Sequence, residues 1–337
     1  MMQMQRVVPF LAAMVAMVSP FAQANDSVAE LGTGGLVLGR SDVIRMAKEN
    51  LRISMDSVDV DYIFRNESDQ SVETLVAFPM PDITFHPDEM TAIPQPDNDG
   101  DLFGFSVSVS GEPVAATLQQ RVMSRGVDIT DRFLAAGLKP NPYSEAGRAA
   151  LDALSGPALD DMVRLGAVVT YEGDAGQGMQ TMKDASWTLA SAYYWTAQFA
   201  PHADVAVHHH YVPSVGGTAG VYFADKEADP AFVAKMRTDY CMDDSFIDAV
   251  RRRVATQGEN GPYFTEARIR YILTTGANWN GSIGDFTLTI DKGSTDNLVS
   301  FCGEGVTKTG PTTFEMHATD FWPERDLDIL FVVRAGE

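Results

Sequence analysis

Val58-Asp59-Val60-Asp61-Tyr62-Ile63-Phe64 puts an apolar side chain at positions 58, 60, 62 and 64, with Asp59 and Asp61 between them. Successive side chains on a strand point to opposite faces, so this stretch reads as a strand with one buried and one wet face. Leu51-Arg52-Ile53-Ser54-Met55 repeats the alternation just upstream. Asn66-Glu67-Ser68-Asp69 is turn chemistry, and residues 73–78 return as a strand that Pro79-Met80-Pro81 stops. Beyond an acidic loop at 94–101, residues 103–109 alternate again, and a Gly111-Glu112 turn leads into 114–122. Short strands separated by turn signals predict a β-sandwich or barrel.

Farther along, the period changes. Residues 130–138, 144–154 and 158–165 carry helical spacing, with Thr130 and Ser144 as expected N-caps and Gly137 and Gly166 near expected ends. Two more helices are expected at 230–237 and 244–254. Strands are expected at 187–199, 205–212, 267–275, 286–291, 298–302, 313–317 and 327–333. The fold class is mainly β with inserted helices, α+β overall. The expected division is an N-terminal β-sandwich at 25–125, a helical insertion at 126–180 and a C-terminal β-rich unit at 181–337. Gly173 to Gly178 is the best linker by composition.

The first 24 residues read as a secretory signal. Arg6 precedes an apolar run at 7–18, Ser19-Pro20 breaks it, and Ala22-Gln23-Ala24 forms a small-x-small cleavage site. That run is shorter than the roughly 20 residues a spanning helix needs. The chain is therefore expected to be periplasmic or secreted, to begin at Asn25 after cleavage, and to have no transmembrane anchor. A net charge of −21 and the lack of a basic stripe argue against nucleic acid. Arg251-Arg252-Arg253 fits the end of a helix, where cations complement the backbone dipole. Cys241 and Cys302 are the two cysteines. In an exported chain an even count points to a disulfide, here closing a loop of about 60 residues; the alternative is a thiol nucleophile.

Two stretches resemble known families. Residues 58–81, closing on Phe78-Pro79-Met80-Pro81, followed by 105–114, resemble the vault/inter-alpha-trypsin type of β-sandwich domain. Five pieces in order along the whole chain resemble an exported bacterial family, domain of unknown function 4424. They are Glu30-Leu31-Gly32-Thr33-Gly34-Gly35-Leu36, the same Phe78 to Pro81 stop, Tyr211-x-Pro213-Ser214-Val215-Gly216-Gly217, Val299-Ser300-Phe301-Cys302-Gly303, and Phe321-x-Pro323-Glu324-Arg325-Asp326-Leu327. That resemblance implies export and supplies no activity.

Several clusters could carry chemistry. His208 and His210 share one strand face roughly 7 Å apart and could ligate a divalent metal, with His202, His86 or His317 as a third donor. The alternative is a solvated face. Tyr193 and Trp195 share a face and could stack on a sugar or another ligand, or be core. Asp97-Asn98-Asp99-Gly100-Asp101 is acidic enough for calcium but lacks the glycine and closing Glu of a calcium hand. Glu324 and Asp326 flank Arg325, which reads as an ion pair pinning the loop before the last strand; the alternative is a pair of acids for glycosidic chemistry. No Gly-x-Ser-x-Gly, Ser-x-x-Lys, phosphate loop or His-Glu-x-x-His appears. The expectation is an exported, non-enzymatic module binding a small molecule, a glycan or an envelope protein. The alternative is an exported hydrolase of a polymer or ester working through His208 and His210.

Overall fold

The computed structural model describes residues 25–335 apart from 33–34, 88–91, 99, 175, 177 and 258–262. The expected signal at 1–24 lies outside the described residues, as does Asp99 of the acidic loop. Strands dominate. One eight-stranded sheet runs edge to edge as Thr307–Lys308, Thr313–Phe321, Ile283–Asp291, Ile44–Ile53, Val58–Asn66, Asp204–Tyr211, Ser106–Val109 and Glu112–Val114. A seven-stranded sheet runs Val127–Asp128, Thr117–Ser124, Thr188–Phe199, Val72–Pro79, Ser27–Gly32 and Gly35–Leu38, with Ile83–Thr84 beside Thr188–Phe199. The alternation at 58–64 has its expected result. Val58, Val60, Tyr62 and Phe64 are buried, while Asp59 and Asp61 face outward.

The inner faces of these two sheets meet over aromatic side chains. Phe78 and Trp195 of the seven-stranded sheet lie 4.8 and 5.2 Å, ring centre to ring centre, from His209 of the other. Phe64 and Phe199 meet at 6.2 Å. This is the interdigitated layer expected of packed sheets. Gly216–Thr218, Phe264–Tyr271, Leu327–Arg334 and Leu298–Phe301 make a four-stranded sheet that joins the same core, with Tyr271 6.4 Å from Phe78 ring centre to ring centre. The helices Pro230–Tyr240 and Asp244–Val254 pack on that sheet through Met236, Ile247 and Val250. As expected, Arg251 to Arg253 fill the last turn of the second helix.

Strands from either side of residues 126–180 share both large sheets. Asp204–Tyr211 lies between Val58–Asn66 and Ser106–Val109, and Thr188–Phe199 lies between Thr117–Ser124 and Val72–Pro79. Units 25–125 and 181–337 therefore do not each own a sheet, because strand order in space is not chain order. Ile44–Ile53 pairs in parallel with Ile283–Asp291, joining early and late chain in one sheet.

Between the two lie three helices, Thr130–Ala135, Glu145–Ala153 and Gly156–Leu165. Ser144 caps the second through its hydroxyl, which accepts from the Gly147 amide at 2.9 Å. Thr130 does not cap the first. It is the first helical residue, and its hydroxyl accepts from the Val122 amide at 2.9 Å. Gly166 ends the third helix at φ +78°, the left-handed conformation that favours glycine. The expected linker at 173–178 is instead the tip of a hairpin formed by Val168–Asp174 and Met179–Ala185. Gly176 and Gly178 take the positive φ of its turn, +92° and +94°, while Gly173 lies in the first strand.

Ile44–Ile53 departs from simple alternation. A bulge between Met46 and Lys48 shifts its register against Val58–Asn66. An extra residue there reverses which side chains face inward. Ile44 and Met46 are buried before the bulge, and Glu49, Leu51 and Ile53 after it. Gly284 on the neighbouring strand makes room, since a Cβ there would sit 2.6 Å from the Ala47 carbonyl oxygen.

Candidate functional site

The cysteines form the expected disulfide. Cys241 is the C-cap of Pro230–Tyr240 at φ +51°, and Cys302 directly follows Leu298–Phe301. The bond ties a helix end to the four-stranded sheet, and the Ser300 hydroxyl, donating to the Tyr240 carbonyl at 2.9 Å, ties it a second time.

Beside this disulfide opens a cleft of about 770 Å³, within the usual range for small-molecule sites. Its floor is apolar and buried: Leu273, Phe286, Leu288, Met316 and Leu327. Phe321 stacks on Phe286 with ring centres 4.4 Å apart. Trp322 stands on the wall, 57% exposed. Around the rim are Glu304, Glu324, Arg325 and His317. Among the described residues neither Glu304 nor Glu324 has a hydrogen-bonding or ion-pair partner, whereas His317 meets Asp285 at 3.3 Å. Val299 to Gly303 and Phe321 to Leu327, two of the pieces that carried the family resemblance, both reach this cleft.

The ion pair expected around Arg325 does not form. Arg325 donates to the Asp239 carbonyl at 2.9 Å, and Asp326 takes Arg270 at 3.1 Å and the Thr274 hydroxyl at 2.8 Å. Both contacts hold the loop that carries Trp322. Alternation cannot reveal an exposed Trp on a loop. The usable signal was an indole beside Pro323 in a loop with unmatched acids.

Tyr193 and Trp195 share a face, as expected, but it is the buried one, at 3% exposure each. Tyr193 stacks on Phe105 at 4.3 Å and donates to Asp101. They are core between the sheets and not a ligand platform. Asp101 of the acidic loop accepts from the amides of Phe103 at 3.0 Å and Gly104 at 2.8 Å.

His208 and His210 lie on the outer face of the eight-stranded sheet. Each spends Nδ1 on the cross-strand carboxylate opposite it, Asp61 at 2.9 Å and Asp59 at 2.7 Å. His202 binds Asp69 at 2.8 Å. Among the described residues no group of three or more His, Cys, Asp or Glu is arranged to hold a metal ion.

The middle histidine matters more. His209 is fully buried, ringed by Tyr62, Phe78, Phe105 and Trp195 at 4.8 to 5.3 Å, and among the described residues neither ring nitrogen has a hydrogen-bond partner. Burial pushes it down to about 3. Its Nε2 stands 3.6 Å from Asp26, too long for a hydrogen bond. The spacing alone would suggest an ion pair, but loss of hydration drives both groups toward neutral, raising Asp26 well above its ordinary value. Glu49, turned inward by the bulge, joins them, and burial raises it to about 8. Alternation counted back from Ile53 and Leu51 was the signal for Glu49.

A second groove of about 480 Å³ holds Asp82, Arg268, Arg270, Tyr240 and Asp328. Burial raises Asp82 to about 6. Arg270 is shared between Asp326 at 3.1 Å and Asp328 at 3.9 Å, so this groove is largely self-paired.

A family model for a domain of unknown function (DUF4424) matches residues 24–330, and the chain belongs to that family. No curated protein matches it. Among solved structures, the crystal structure of a candidate nutrient binding protein from Legionella pneumophila subsp. pneumophila is similar at 15% identity and a TM-score of 0.42. It covers 92% of this chain and 70% of that one. Likeness at that level carries no statement about ligand or activity.

Proposed function

We propose that this member of the family is an exported, non-enzymatic binding protein whose cleft beside Trp322 takes a small organic cation with an apolar body. The observation that carries the reading is the pairing of a buried apolar floor with an exposed indole and two unmatched carboxylates, Glu304 and Glu324. An indole face attracts a cation by about 0.5–2 kcal/mol. The net charge of −21 concentrates cations near the surface. Export is supported by the signal-like first 24 residues and fits a disulfide, which persists in oxidising compartments. The alternative, a hydrolase working through His208 and His210, has less support, since neither ring lines this cleft and each is engaged by an aspartate.

Thioflavin T, an apolar cationic dye, tests the site against the anionic dye anilinonaphthalene sulfonate at about 0.15 M salt, where surface charge is screened beyond roughly 8 Å. One thioflavin T is expected per chain, bound at least about tenfold more tightly than the anion, a gap of about 1.4 kcal/mol. Trp322→Ala should weaken it by about tenfold, and the pair Glu304→Gln with Glu324→Gln by several-fold. Equal binding of the two dyes, or an unchanged Kd in Trp322→Ala, would sink the reading.

A further inference from the structure

We infer that cleavage between Ala24 and Asn25 creates a cation that the pocket around Glu49 and Asp26 lacks among the described residues, the α-ammonium of Asn25, which seats against those two carboxyl groups and completes the core. Asn25, Asp26, Ser27 and Glu49 are all fully buried. The Asn25 side chain already reaches across, donating from Nδ2 to Glu49 Oε2 at 3.2 Å and accepting from Tyr62. Among the described residues both carboxylate oxygens of Asp26 and Oε1 of Glu49 have no hydrogen-bond partner. Among the described residues no Lys or Arg pairs with either group. The basic group that approaches is His209, 3.6 Å from Asp26. The other polar neighbours are uncharged: the Tyr62 and Tyr271 hydroxyls, 3.1 Å apart, and the Trp279 indole, which donates to the Asp26 carbonyl at 2.6 Å. Two adjacent buried carboxyl groups without a cation are an expensive arrangement that folded proteins rarely keep.

The sequence supplies the remedy at the adjoining bond. Ala22-Gln23-Ala24 is a small-x-small cleavage site, and Asn25 is the residue after it. A signal peptidase hydrolysing that bond consumes one water, leaving a carboxylate on Ala24 and an amine on Asn25. An α-amine has an ordinary pKa of about 7.7–8.0 and so is protonated at neutral pH. Before cleavage the same nitrogen is an uncharged amide. If the carboxyl pair keeps one proton, one ammonium balances its remaining charge. The precursor thus lacks an ion pair that the processed chain has, and export processing is coupled to stability.

This inference rests on the exported reading and is independent of the cleft. The protein produced with its own signal should begin at Asn25 by N-terminal sequencing and by intact mass. Its melting temperature should exceed that of the same chain carrying one extra Gly ahead of Asn25 by about 5 °C. In a Glu49→Gln background, which keeps the shape and removes the charge, the difference should shrink to about 1 °C. A first residue other than Asn25 would overturn the inference, as would no difference, or the same difference in both backgrounds. Should the extended chain fail to fold, a brief acetic anhydride pulse on the processed protein decides. The α-amine should react at least about tenfold more slowly than in the unfolded chain, and Glu49→Gln should speed it up. Equal rates would overturn the inference. Thioflavin T titration of the same proteins separates the two proposals, because a failure at Asn25 leaves dye binding intact.

Discussion

Replacing Cys241 or Cys302 with Ser is expected to lower the stability of the folded chain by about 4 kcal/mol, and replacing both should cost no more than replacing one. The bond spans 61 residues, and closing a loop of that size removes conformational entropy from the unfolded chain on the order of 4 kcal/mol. The native side agrees in direction. Cys241 ends a helix in a left-handed conformation, and the bond holds that helix to the strand leading into the cleft. Its loss should therefore also weaken thioflavin T, because the rim at Gly303 and Glu304 is anchored by Cys302. Urea unfolding of the three variants measures the first effect, and thiol titration of the unreduced, unfolded wild type should find no free thiol. Additive losses in the double variant would show that the two residues act separately.

His209→Phe is expected to leave stability at pH 7 unchanged or raised and to remove the loss of stability that His209 contributes between about pH 6.5 and pH 3. The imidazole sits among four aromatic rings with both nitrogens unpartnered, so a phenyl ring suits the same space and removes a desolvated polar group. Burial holds the folded ring neutral down to about pH 3, while in the unfolded chain it takes up a proton from pH 6.5. Between those values the unfolded state binds more protons, so stability falls as pH falls, by about 3 kcal/mol at pH 4. Phenylalanine abolishes that limb. Glu49 acts in the opposite direction. Its folded carboxyl keeps a proton up to about 8 and the unfolded one only to 4.5, so stability falls as pH rises through that window. An α-ammonium at Asn25 would flatten this second limb, and a Gly-extended chain would retain it. Thermal melts at pH 4 and pH 7 measure the effect of His209→Phe. A large loss at pH 7 would mean that His209 and Asp26 form a charged pair.

Alternation located the strands well. Residues 58–64 and 205–212 orient as their pattern requires, with His208 and His210 outward and Tyr62 inward. Capping chemistry found the helix that Ser144 opens, and composition with context found the disulfide. Other features were hidden for physical reasons. Periodicity says that Tyr193 and Trp195 share a face but not whether another sheet covers it, and Phe105 and His209 do. Glycines at 173–178 suit a linker and a hairpin tip equally, and only pairing between distant residues decides. The parallel pairing of Ile44–Ile53 with Ile283–Asp291 joins segments too far apart for local pattern to register. The bulge after Met46, which turns Glu49 inward, leaves no local trace beyond a broken phase. The cleft draws on strand, loop and disulfide together, so its residues were visible singly and its concavity was not.

Native mass spectrometry of the protein isolated from its own cells, without denaturant and beside Trp322→Ala, tests the proposed binding function most directly. The expected spectrum shows one small, apolar amine per wild-type chain and none on the variant. A wild-type chain that carries no such adduct, or a variant that carries the same one, would contradict a ligand held beside Trp322.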